Sequence, residues 1–161
     1  MCGLRWRKVN KFTETWALVT DGGRARVVAL KRHPAEFREV RKFQSPTRQQ
    51  PSRSLEDDAS GRSHHVRGPG SHTHEPRVSG RDQEEQRFTA KVLELLSQAA
   101  QAGEFQSLLL AADPRSLGNI RTQMDEALRK AVVKELNLDL TRLDTKKLES
   151  RLREALGWPT R

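Results

Sequence analysis

Trp16-Ala17-Leu18-Val19-Thr20-Asp21-Gly22-Gly23-Arg24-Ala25-Arg26-Val27-Val28-Ala29-Leu30 is the stretch that decides how this chain folds. Ala17, Leu18 and Val19 are continuously apolar, the pattern of a strand covered on both faces. Asp21-Gly22-Gly23 then supplies the positive φ that a tight hairpin turn needs. The spacing predicts a strand over 15–20 and an antiparallel return over 25–32. A matched segment lies far downstream, Ser107-Leu108-Leu109-Leu110-Ala111-Ala112-Asp113-Pro114-Arg115-Ser116-Leu117-Gly118-Asn119-Ile120-Arg121. It too is an apolar strand that runs into an Asp-bearing turn. Two such strands predict an α/β domain whose strand ends share one edge, where folds of this kind place ligand sites.

Working outward, Phe37 to Phe43 reads as a third, weaker strand after the turn at His33-Pro34. From Gln44 to about Arg81 the chain is rich in Ser, Pro, Gly, Arg and His and nearly free of aliphatic residues, which predicts a long loop or disordered insert. Asp82 and Glu85 have capping-box spacing, and Phe88, Val92, Leu95, Leu96 and Ala99 then share one helical face. Gly103 is a natural stop for that helix. A strand follows over 106–112, and Asp113 is placed to cap the next helix with Pro114 in its first turn. Leu117, Ile120, Met124, Ala127, Leu128 and Ala131 trace that helix's buried stripe. A strand over 132–138 completes a parallel crossover. The last helix, capped by Asp144, buries Leu148, Leu152 and Leu156 and stops at Gly157. Three antiparallel strands followed by helix, strand, helix, strand and helix is the topology of the ribonuclease H-like fold, with a mixed five-stranded sheet. The expected organisation is a basic flexible lead-in over 1–13 and one domain over 14–157 that contains the insert at about 44–81.

Composition narrows the function. Apolar residues make up 34% of the 161, against about 45–50% in ordinary globular chains, so part of the chain stays outside the core. The single Cys2 excludes an intramolecular disulfide and a cysteine-based zinc cluster. No run looks like a signal peptide or a membrane span, so a cytoplasmic protein is the expectation. Residues 1–53 hold 13 of the 30 Lys and Arg but only 4 of the 21 Asp and Glu, a surplus that equals the whole net charge of +9. A basic N-terminal third is an electrostatic footprint for phosphate-rich partners or for an acidic protein.

Several of these segments resemble the bacterial "host attachment protein" family. The run from Trp16 to Arg26 is similar to that family's opening signature. Gly61-Arg62-Ser63, Glu85-Gln86-Arg87-Phe88, Leu117-Gly118-Asn119-Ile120-Arg121, Asp139-Leu140-Thr141 and Leu148 follow in the family's order, so the resemblance covers roughly residues 15–156. It implies a likeness to the central domain of archaeal and eukaryotic peptide-chain release factors, a ribonuclease H-like fold, and a link to RNA or the ribosome. It does not imply peptide release, because the Gly-Gly-Gln tripeptide of true release factors is absent and Gly22-Gly23 is followed by Arg24. The family label reflects adhesion of bacteria to host cells rather than a mechanism.

The candidate chemistry is of three kinds. Asp21 and Asp113, with Glu84, Glu85 or Glu94 from the first helix, form a possible Mg²⁺ site for phosphodiester hydrolysis. Both aspartates are equally explained as a turn residue and a helix cap. His64, His65, His72 and His74 lie in the polar insert without cysteines nearby, so adventitious metal binding is the better expectation there. Arg24, Arg26 and Arg115 are expected to share one electropositive face near a helix N-terminus, with Arg121 further along the same helix, as a site for a nucleic-acid backbone. No phosphate loop, dinucleotide fingerprint or Ser-His-Asp order is present. The expectation is a non-enzymatic binding module for RNA or ribosome-associated partners, needing no cofactor. A metal-dependent nuclease and a protein-protein adaptor are the alternatives.

Overall fold

The computed structural model describes residues 14–46 and 80–160. Strand β1 (Thr15–Thr20) is buried along its whole length. Its edges are taken by β2 (Arg24–Lys31), antiparallel with Thr15 opposite Leu30 and Thr20 opposite Ala25, and by β4 (Ser107–Ala112), parallel with Thr15 opposite Ser107 and Thr20 opposite Ala112. Strand β3 (Glu36–Gln44) pairs antiparallel with β2, and β5 (Val132–Asn137) pairs parallel with β4. The sheet order β3-β2-β1-β4-β5 makes this a mixed five-stranded α/β sheet of ribonuclease H-like topology, as the order of sequence signals implied. The pairing of β2 with β3 shifts register between Val27 and Val28, and Val40 is the extra residue. A bulge in an edge strand spoils it as a template for further pairing.

Because β1 and β4 are apolar on both sides, the sheet needs cover on both faces. Helices α1 (Gly80–Gln101), α2 (Pro114–Gln123) and α3 (Glu126–Ala131) cover one face, where Trp16, Leu18, Leu108 and Leu110 meet Phe88, Leu96, Ile120 and Leu128. Helix α4 (Thr145–Ala155) covers the other, where Ala17, Val19 and Leu109 meet Leu148, Leu152 and Trp158. Trp16 and Phe105 stack with ring centroids 4.8 Å apart and close the base of the first core.

Three local expectations need correction. Helix α1 begins at Gly80, so Asp82 lies within its first turn and does not cap it. Leu93 rather than Leu95 takes the buried position on its inner face. The single helix expected through Ala131 is two. Met124 is extended and buried, and Asp125 caps a new helix by accepting from Leu128 N at 2.8 Å. Ser97 of α1 donates to the other oxygen of Asp125, which holds the break in place. Arg129 donates to the carbonyls of Met124 and Arg121, which the broken ladder leaves open. Ala127 is consequently exposed. The expected lead-in over 1–13 lies outside the described residues. So does the insert, apart from its ends, where β3 runs through Gln44 and α1 starts at Gly80.

Arg153 of α4 is the largest fully buried side chain, 1% exposed. Its Nε donates to Glu149 Oε1 at 2.8 Å, and its Nη atoms donate to the carbonyls of Lys31 (3.3 Å) and Glu36 (3.1 Å). One guanidinium thus satisfies both ends of the β2–β3 connection and ties it to α4. Arg153→Ala leaves those carbonyls and the partly exposed Glu149 unpaired. We predict a loss of about 3 kcal/mol, at the low end for a broken buried pair, measured by urea unfolding; a change under about 1 kcal/mol contradicts this role.

Candidate functional site

The parallel pairing of β1 with β4 brings the residues after Thr20 and after Ala112 to one edge of the sheet. Asp21 shapes the first turn: its Oδ1 accepts from Gly23 N (3.1 Å) and Arg24 N (2.8 Å). Thr20 Oγ1 donates to the Arg24 carbonyl (2.7 Å) and accepts from Gly22 N (3.3 Å). Gly22 has φ +82°. Asp113 caps α2. Its Oδ1 accepts from Arg115 N and Ser116 N, both at 3.0 Å, and its Oδ2 accepts from Ser116 Oγ at 2.7 Å. Burial opposes ionisation of Asp113, but these donors prevail and hold its carboxyl below the usual value.

Of the helix carboxylates named from the sequence, Glu85 reaches this edge. A Cβ at Gly22 would meet Ser116 Oγ at 3.3 Å and the Glu85 carboxylate at 3.4–3.5 Å. Glu84 turns instead toward β3 and accepts from Ser45 Oγ at 3.1 Å, while Glu94 is exposed further along α1. Arg115 bridges Asp82 and Glu85, with the latter contact at 3.3 Å, and Arg81 lies 3.5 Å from Glu85. Asp82, Gln86, Arg115 and Asn119 line an open polar depression of about 350 Å³.

The arginines expected to share one face do not. Arg26 Nε donates to Glu39 (2.8 Å) and its Nη1 to the Leu143 carbonyl (2.7 Å), which puts it on the α4 side of the sheet. Arg115 lies on α2, on the opposite side. Arg121 makes a two-point contact with Glu135 of β5. Arg24 is exposed where β2 leaves the turn. Sequence spacing shows none of these partners, since each pairing is made by a different element. Asp21 and Asp113 serve the turn and the cap, and among the described residues no group of three or more His, Cys, Asp or Glu is arranged to hold a metal ion. His64, His65, His72, His74 and Cys2 lie outside the described residues. Residues not anticipated here are Ser116 and Thr20. The Asp-x-x-Ser spacing of Asp113 and Ser116 is a legible signal for the former.

The strand order and the paired turns thus define a ribonuclease H-like α/β protein. The chain belongs to the family described as "Protein required for attachment to host cells", whose model matches residues 16–152. A search of the curated proteins found no match. Among solved structures the chain is similar to the crystal structure of an archaeal translation termination factor, aRF1. The identity is 13% and the TM-score 0.46, over 89% of this chain and 41% of that one. A second, described as an archaeal protein, is 11% identical with a TM-score of 0.47, over 89% and 34%. The chain therefore spans well under half the length of either.

Two outcomes test this edge. Gly22→Ala is expected to cost about 1–2 kcal/mol, because it combines a left-handed backbone with the contacts to Ser116 and Glu85; a neutral result in thermal unfolding contradicts the packing. Asp113 has a lowered folded-state pKa, so its stabilisation is present above the unfolded carboxyl value of about 4 and is lost as pH falls through the folded value. Asp113→Asn keeps a capping side chain without that ionisation. Its stability deficit is expected at neutral pH and should vanish in strong acid, and a pH-independent deficit would contradict this assignment.

Proposed function

We propose that this chain acts non-enzymatically, as a cytoplasmic binding module for RNA or ribosome-associated partners, with residues 14–157 as the binding unit. The observation that carries this reading is the charge asymmetry: the whole surplus of +9 falls within residues 1–53. Within the described part of that segment, Arg24, Arg38, Arg41 and Lys42 are exposed on the β2–β3 hairpin. Exposed cations on a rigid sheet edge suit a regularly spaced polyanion, and such contacts position a backbone without reading its sequence. The nuclease alternative draws no support from Asp21 and Asp113, whose oxygens hold the turn and the α2 N-terminus. Membership of the attachment family fits an indirect effect on adhesion through such a partner.

Fluorescence anisotropy with short mixed-sequence RNA oligonucleotides tests the reading. Binding is expected at low salt, falling linearly in log K against log salt with a slope of about −0.7 per phosphate contacted. No measurable affinity at low salt would overturn it.

A further inference from the structure

We propose that the RNA-binding surface is the shoulder between β3 and α1, built from Arg38, Arg41, Arg87 and Lys91, and not the edge where β1 and β4 end. This rests on the RNA-binding reading above and assigns it a place. Three contacts orient α1. Asp82 pairs with Arg115 and Ser97 donates to Asp125, which turns one flank of α1 toward α2 and α3. Glu84 accepts from Ser45, just past the end of β3, which turns the other flank toward β3. Arg87 and Lys91 follow Glu84 by three and seven residues, a spacing that keeps them on the β3 side and the outer surface. Both are exposed.

On the strand, Arg38 and Arg41 stand opposite Ala29 and Val27, whose side chains belong to the core under α1. Arg38 donates to the same Glu14 oxygen that accepts from the Trp16 indole, which confirms the side of the sheet it occupies. Both arginines are exposed. Measured from the Glu84–Ser45 contact, Lys91 lies roughly 10 Å along the helix and Arg41 roughly 13 Å along the strand, so the two are level. Arg38 continues the row roughly 10 Å further along β3. The cations therefore form a track along the shoulder.

Their electrostatic surroundings separate this track from the strand-end edge. Among the described residues Arg41, Arg87 and Lys91 form no ion pair, and Arg38 has one, to Glu14. Glu84 accepts from Ser45 and keeps its charge, and Glu94 lies further round the helix from β3, so with Glu14 three carboxylates stand near the four cations. At the other edge, Arg115 already faces Asp82 and Glu85, and Arg121 faces Glu135. A phosphate at Arg115 or Arg121 would first have to displace a carboxylate, while Arg24, exposed at the turn, alternates onto the same side of β2 as Arg26, away from α1. The shoulder also has no exposed large hydrophobic residue; the one such residue among those described is Leu138, beyond β5. Protein interfaces are anchored by buried aromatic residues together with arginine; with arginines but no exposed aromatic or large apolar residue, the shoulder suits a phosphodiester backbone better than an acidic protein.

The test uses the full chain and three forms: wild type, Arg41→Gln/Arg87→Gln/Lys91→Gln, and a charge-matched control on the α4 side, Arg142→Gln/Lys146→Gln/Arg151→Gln. All substituted residues are exposed, and equal melting temperatures establish that each form is folded. At about 0.7 per contact, losing three contacts should flatten the log–log slope by about 2 and weaken binding of mixed-sequence RNA about 100-fold at about 0.1 M salt. The control is expected to stay within about threefold of wild type. If wild type binds RNA but both variants weaken equally, the shoulder is wrong while the RNA reading stands. If wild type does not bind RNA at low salt, the RNA reading itself falls. Tighter binding to a polyglutamate chain than to RNA of similar charge would replace the proposed partner with an acidic protein.

Discussion

The alignment of β1 with β4 is the constraint on which the rest depends. Both strands are apolar on both faces and occupy the middle of the sheet, so neither can face water on either side. That requirement places three helices on one face and α4 on the other. It also sets where the chain turns, because Thr20 and Ala112 stand opposite each other at one edge. The turn at Asp21-Gly22-Gly23 and the cap at Asp113 then meet through Gly22, Ser116 and Glu85. What looks like a site at this edge is in large part the joint that locks two strand exits and the start of α1 together.

That joint accounts for the chemistry of its side chains. Asp21 and Asp113 are acceptors for backbone donors that the turn and the helix start leave exposed. Arg115 and Glu85 neutralise one another within the same joint. A polar depression remains beside it, but its charges are spent on holding elements in register. The β3–α1 shoulder differs, since its cations extend from elements fixed by other contacts and carry little structural duty of their own.

Much of the fold was legible because its signals are local. Asp-Gly-Gly demands a turn, Asp113-Pro114 and Asp144 demand helix starts, and the apolar runs at 17–19 and 108–112 demand covered strands. The break at Met124–Asp125 was not legible, because apolar spacing continues through it and the deciding contact comes from Ser97 on α1. Arg153 reads as one more surface cation on α4, yet it is buried because two carbonyls of the β2–β3 connection need donors. The surroundings of the candidate arginines depend on tertiary structure in the same way. Their number and position could be read from the chain, but the carboxylates that pair with Arg26, Arg115 and Arg121 come from β3, α1 and β5. Local chemistry predicts where the backbone bends, whereas the charge left over for a ligand is a tertiary property.

The proposed surface places a phosphate backbone against the cations of the shoulder and not against those at the strand ends. Amide hydrogen exchange on the full chain with and without saturating RNA addresses it most directly. RNA on the shoulder is expected to add protection across β3 and the first half of α1, with residues 113–121 unchanged. Protection concentrated at 113–121 and the Asp21 turn, with β3 unaffected, would contradict it.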